Sequence, residues 1–291
     1  MQSNNPVFRR SEEFNRNTYG NQTYQGNGAA YQGYGAPQGT GYASPAGFGT
    51  PPTTVERRMT IDSVVQSTAI TLGVTILAAA ITWFATPDVA SDPKSALPAL
   101  SAAIAVGGGA AFILSLVNSF KRVISPALVI AFAVAEGIAL GGISKLYDAV
   151  FGTDSSSYGG IVVQAVVGTF AAFAGTLAAY KFFDIKVGNK FRTFVVAAMF
   201  GMVALSLMEL VLGFFGAQLG LFGFSGLGFV FSLVGLVLGV FMLILDFDFV
   251  EQGVRNGLPE RESWRASFGL LVSLVWIYTN LLRILAILQQ D

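Results

Sequence analysis

From Asp62 onward, apolar residues come in seven long stretches separated by short polar segments, at 63–85, 97–117, 126–146, 161–180, 193–215, 221–245 and 267–288. A helix rising ~1.5 Å per residue needs ~20 residues to cross ~30 Å of hydrocarbon, and each stretch has about that length. The bilayer offers no water to free backbone groups, so a spanning segment must be a helix or part of a closed barrel. None of the seven alternates apolar and polar positions as a barrel strand does, so each is predicted to be helical. The expected class is an all-α integral membrane protein, a seven-transmembrane helix bundle.

Glycine modulates this pattern. Gly107, Gly108 and Gly109 in the second stretch, and the GFSGLG entry around Gly226 in the sixth, mark either close packing or an unwound segment lining a cavity. Gly137 with Gly141, and Gly235 with Gly239, lie four apart and predict close helix contact without a ligand role.

Residues 1–59 read differently. They are built from Gly, Tyr, Gln, Asn, Ser and Pro, as in NQTYQGNGAAYQGYGAPQGTGYASPAGFGTPP. Such a segment cannot bury enough carbon to offset its chain entropy, so a disordered tail ahead of a membrane domain at 60–291 is expected. It lacks the charged start and apolar core of a signal peptide. Tyr19, Tyr24, Tyr31, Tyr34 and Tyr42 are spaced as weak self-association contacts would be; the plainer alternative is a solvated extension.

Charge orients the bundle. The tail (Arg9, Arg10, Arg16, Arg57, Arg58), the second loop (Lys121, Arg122), the fourth (Lys181, Lys186, Lys190, Arg192) and the sixth (Arg255, Arg261, Arg265) hold fourteen of the seventeen cations. Lys94, Lys145 and Arg283 fall on the other side. The positive-inside rule then predicts a cytoplasmic N-terminus and, for seven spans, a C-terminus outside. A six-span arrangement would return the C-terminus to the cytoplasm but leaves the alternation of the loops unexplained.

Composition narrows the chemistry. Apolar residues make up 53% and charged residues 12%, about half the charge of an average soluble domain. Net charge is zero, which gives no electrostatic case for nucleic acid as a partner. The chain has neither His nor Cys. Disulfides, imidazole or thiolate catalysis and Cys/His metal sites are thereby excluded. The seventh stretch has no lysine for a Schiff base, and no GxGD phrase points to an intramembrane aspartyl protease. The chain is read as not an enzyme, without a cofactor, and with the lipid bilayer as its main partner.

Function then rests on a few ionisable groups at membrane depth, each of which costs at least ~2.5 kcal/mol on insertion scales. Glu136, in AVAEGIALGG, lies ten residues into the third stretch, near the midplane. It is the first candidate for a proton-linked ion path; the alternative is an acid bonded to a neighbouring helix for packing alone. Glu209 and Arg283 reach similar depths in the fifth and seventh stretches, which predicts a direct or water-linked pair; for Arg283 the alternative is snorkelling to the interface. In LILDFDFVEQGVRNGLPERESWRASF, Asp248 and Glu251 share a helical face while Asp246 points some 200° away. Asp246, Asp248 and Glu251 are candidate ligands for a hard cation, with Arg255 or Arg122 as competing counter-charge. Glu260, Arg261, Glu262 and Arg265 read as a solvated loop.

The seven-span count, the carboxylate of LILDFDF and the closing helix LLVSLVWIYTNLLRILAIL resemble the Bax-inhibitor (transmembrane BAX inhibitor motif) family, particularly its bacterial YccA-like members. The resemblance covers about 60–291. The Gly/Gln/Tyr-rich tail with LDFDFVEQGVRNG and PERESWRASFGL is similar to an actinobacterial branch, which implies a bacterial plasma-membrane location. The family implies a seven-helix bundle with a closable central path and, in some members, a pH-sensitive calcium leak. That leak is attributed to two aspartates, in the sixth and seventh helices, and a nearby arginine from the second. Asp246 matches the first, with Asp248 an alternative register, and Lys121 or Arg122 matches the arginine. Ser273 stands where the second aspartate would be, so the two-acid sensor does not carry over intact.

The leading expectation is therefore a proton-modulated cation leak, with calcium as a permeant ion. The competing one, implied by the family's links to cell-death suppression and membrane proteolysis, is a non-conducting regulator that binds a membrane protein such as a quality-control protease.

Overall fold

The computed structural model describes residues 57–152, 160–183 and 185–290. Seven helices follow one another: α1 Ile61–Ala85, α2 Pro93–Phe120, α3 Pro126–Phe151, α4 Ile161–Phe182, α5 Asn189–Phe214, α6 Gly226–Arg255 and α7 Glu262–Leu288. All seven are long and apolar enough to cross a membrane. The tail tyrosines and the expected disorder of residues 1–56 lie outside the described residues.

The helices outrun the apolar stretches at the ends where polar residues can pair along the helix. The difference matters most in α6, which continues through Asp246 to Arg255 because Asp248 accepts from Gln252 and Glu251 from Arg255, each four residues on. Gly257, at φ +63°, then reverses the chain in the left-handed conformation that glycine adopts without Cβ strain. The three acids thus sit within a continuous helix rather than at its end. Gly107–Gly109 are helical as well, so the close-packing alternative holds there: a Cβ on Gly107 would lie 2.8 Å from the Ala139 backbone nitrogen. At the start of α2, Asp92 caps Ser95, whose hydroxyl and amide donate to its carboxylate and hold it below the usual carboxylate range.

Helices α3 and α7 are the buried pair; over half of their apolar windows are covered, against a third or less in the others. α7 packs on α1, α3, α4 and α6, while α2 rests on α3 and α5 mainly on α6. Paired glycines set the closest approaches. Cβ atoms at Gly137 and Gly141 would meet the carbonyl oxygens of Thr75 and Ala79 on α1, and those at Gly235 and Gly239 would meet Asn280 and Ile277 on α7. Both expected contact motifs are therefore in use.

One end of the bundle carries the entry to α1 and the α2–α3, α4–α5 and α6–α7 connections. It is called the basic end here, for Arg57, Lys121, Arg122, Lys181, Lys186 and Lys190. There the chain before α1 pairs with the α6–α7 turn through Met59 N–H to Leu258 O (2.6 Å) and Glu260 N–H to Arg57 O (2.7 Å). Met59 is buried between Gly253 and Leu258.

Candidate functional site

Two aromatic rungs join the parallel helices α3 and α7. Phe132 packs edge-on against Phe268 with ring centroids 5.0 Å apart, and Ser144 Oγ lies 2.6 Å from the Tyr278 hydroxyl. Glu136 lies one turn from Phe132 and one turn from Leu140, on the same helical face, so it stands between the rungs. It is half-buried, and among the described residues none hydrogen-bonds to its carboxyl.

On the α6 side of α7, Ser273 Oγ donates to Asp246 Oδ2 at 2.5 Å. Asp246 is 5% and Ser273 0% exposed. The serine that replaces the expected second acid therefore touches the first. A cavity of about 210 Å3 between α5 and α6, lined by Val195, Met199, Phe200, Met242 and Leu245, reaches Asp246 from the opposite side.

Asp248 points away from Asp246, as the helical spacing requires. Its partner is on α5: Arg192 donates at 2.5 Å, with both side chains about nine-tenths buried, and Gln252 adds a second donor at 2.8 Å. Glu251 is exposed and accepts from the Tyr180 hydroxyl (2.7 Å) and Arg255 (2.6 Å). The three candidate metal ligands thus face α7, α5 and the surface respectively. Among the described residues no group of three or more His, Cys, Asp or Glu is gathered for a metal ion.

Of the two expected counter-charges, Arg255 pairs with Glu251, and Arg122 is placed differently. Arg122 has an exposed side chain, and its main-chain oxygen accepts from Arg265 at 2.8 Å. The cation that meets Asp248 is Arg192, fifty-six residues earlier in sequence, in the first turn of α5 rather than in a loop.

Glu209 and Arg283 do not form a direct ion pair; each binds the backbone of the α5–α6 connection. The Glu209 carboxylate accepts from the amides of Leu219 (2.9 Å) and Gly220 (3.0 Å). Arg283 donates to Leu221 O and Gly223 O, and its guanidinium lies 5.2 Å from the centre of the Phe222 ring. At 8% exposure it does not snorkel. The loop's free amides and carbonyls attract the two charges separately, and satisfying them removes the need for a direct pair.

The expectation of a solvated sixth loop fails for two residues. Glu262 and Arg265 are both 0% exposed and paired at 2.7 Å in the first turn of α7. Arg265 also donates to Arg122 O, so it fixes the α2–α3 connection to α7. Beside it, Ser63 Oγ meets Ser263 Oγ at 2.6 Å and Ser67 Oγ donates to Ser263 O at 3.0 Å, tying α1 to the same turn. The i,i+3 spacing of opposite charges was visible in the sequence; their burial was not.

The buried and half-buried acids of the helices divide by what neutralises them. Asp248 and Glu262 have arginines, and Glu209 has two amides. Asp246 has only a hydroxyl, and Glu136 has no bonded partner among the described residues. Two carboxyls on different helices thus lack a cation, and the cavity beside Asp246 does not include Glu136.

A family model described as Bax inhibitor 1 like matches residues 5–290. The match extends through the N-terminal segment that the resemblance over 60–291 left aside. No curated protein matches the chain.

Proposed function

Because the chain belongs to the Bax inhibitor 1 like family, we propose that it is a multi-pass membrane protein providing a passive, pH-modulated path for cations, calcium among them. The carrying observation is the pair of carboxyls without a cation, Glu136 on α3 and Asp246 on α6, both well inside membrane-length helices. A charged carboxylate at that depth attracts a cation, and protonation abolishes the attraction. The basic end faces the cytoplasm in this reading, in keeping with the positive-inside rule. The packed glycine contacts correspond to a closed path, opened by separation of α6 from α7 at the Asp246–Ser273 bond.

Purified full-length protein in calcium-loaded liposomes tests this. Wild type is expected to leak calcium in a manner that changes between pH 6 and 8, and Glu136→Gln with Asp246→Asn to flatten that dependence. A flux equal to that of empty liposomes at every pH would overturn the reading.

The second reading is a non-conducting regulator bound to another membrane protein, and one observation favours it: the cavity that reaches Asp246 does not reach Glu136. It predicts a stoichiometric membrane partner after gentle solubilisation, together with no flux.

A further inference from the structure

Helices α1 and α4 both pack on α7 but scarcely on each other. The gap between them is a crevice of about 550 Å3, well within the ~300–1,000 Å3 of small-molecule pockets. Its floor is Leu140, Gly141, Leu274 and Tyr278 from α3 and α7. Its rims are exposed apolar residues, Ile76 on α1 and Val163 on α4, each about half accessible at membrane depth. The opening therefore faces lipid sideways.

The crevice has the dimensions of one leaflet. Along α1 it runs from Leu72 to Phe84, twelve residues or ~18 Å, about half of the ~30 Å hydrocarbon layer. It begins near mid-helix and ends where α1 ends and α4 begins, on the side opposite the basic end. The hydroxyls along its wall are satisfied within the protein: those of Ser144 and Tyr278 bond each other at 2.6 Å, and Thr75 and Thr169 donate to their own helices. Such a wall favours an apolar chain over water or ions.

Chemistry changes only at the terminal end, where the Asp148 carboxylate also lines the crevice. Trp83 lines the crevice there, in the position that interfacial tryptophans take. Beside it the Lys145 ammonium donates to Trp83 O (2.7 Å) and Thr86 O (2.6 Å), which sets a fixed cation at the rim.

We propose that this crevice is a binding site for one acyl chain of a phospholipid, which enters sideways from the leaflet opposite the basic end and rests its phosphate beside Lys145. One leaflet's length of apolar channel, open to lipid and ending beside an ammonium and a carboxylate, matches that molecule and does not match a soluble ligand entering from water. The site is separate from the Asp246 cavity and does not depend on ion conduction.

Native mass spectrometry of the delipidated full-length protein, titrated with dioleoylphosphatidylglycerol, tests the proposal. Wild type is expected to keep one lipid at collision energies that strip the remainder. Ala80→Phe and Val163→Phe, which fill the crevice from its two walls, should each weaken that adduct by about tenfold or more. Val106→Phe, on the exposed face of α2, should leave it unchanged. Equal retention by all four proteins overturns the proposal, as does a wild type with no distinguishable adduct. Should the filled variants fold poorly, wild type in vesicles containing a phospholipid with a photoactivatable acyl chain supplies the second measurement. Cross-links concentrated at 76–84 and 162–170 support the site, and labelling spread evenly over the lipid-facing helices overturns it.

Discussion

The Ser273 hydroxyl donates to the Asp246 carboxylate across 2.5 Å between two helices, α7 and α6, with the serine fully buried and the aspartate nearly so. An acid so placed depends on that single donor, because the nearby arginines are engaged elsewhere: Arg192 with Asp248 and Arg265 with Glu262. Ser273→Ala is expected to lower stability by ~1–3 kcal/mol, the cost of leaving a buried acceptor unsatisfied. Unfolding in a detergent titration measures it. Ser273→Asp places a second carboxyl against the first, and the liposome flux should then depend on pH more steeply than in wild type.

Glu209 and Arg283 hold one loop from two helices without touching each other. Glu209→Gln replaces one accepting oxygen with a donor that faces an amide, and Arg283→Met removes both donors to Leu221 and Gly223. Each is expected to speed amide exchange at 217–225 by about tenfold or more, equivalent to ~1.4 kcal/mol or more of local stability. Exchange at the basic end should not change. The double variant should lose less than the sum, because a loop already released by one substitution has less to lose from the other. Strict additivity would indicate that the two side chains act on independent segments.

Among the described residues, Arg265 is the largest side chain with no exposed surface. Removing it by Arg265→Met strands Glu262 as a buried charge and frees Arg122 O, at an expected cost of ~3–5 kcal/mol. Removing both charges, with Glu262→Leu added, should recover most of that loss, since a buried pair replaced by apolar residues of similar volume is often close to neutral. Thermal unfolding of the three proteins in one detergent distinguishes this from a simple packing defect, in which the second substitution would add further loss.

Much of this arrangement could be read from the sequence, and the limit has a physical basis. Span number follows from hydrocarbon thickness, and the glycine contacts follow from four-residue spacing, so both are local properties of the chain. The opposite facing of Asp246 and Asp248 follows from 100° per residue. The partners of buried charges do not follow: Arg192 meets Asp248 across fifty-six residues, and Arg265 meets the carbonyl of Arg122 across 143. Hydropathy also treats Glu262 and Arg265 as signs of water, whereas a pair that neutralises itself and binds a neighbouring backbone can be taken out of it. For Glu209 and Arg283, opposite charge at one depth suggested a pair; the competing claim of unsatisfied loop amides and carbonyls was invisible without the loop's path.

The contact of α3 with α1 makes the strictest demand on residue size. A Cβ at Gly137 would lie 2.4 Å from Thr75 O, and one at Gly141 2.5 Å from Ala79 O, both against backbone that cannot swing aside as a side chain can. Gly73, on α1 itself, has nothing within 4 Å of the same construction. Helix propensity alone favours alanine over glycine by ~1 kcal/mol at all three positions, so any difference among them reports packing. Gly73→Ala is expected to be neutral or stabilising. Gly137→Ala and Gly141→Ala must push α1 away from α3, at ~1–3 kcal/mol each, and Gly137→Leu should prevent the two helices from docking. A disulfide between cysteines placed on α1 and α3 reads the separation directly in a chain that has no cysteine of its own. If Gly137→Ala and Gly73→Ala proved equally stable and cross-linked equally well, the close approach would not be what holds these helices together.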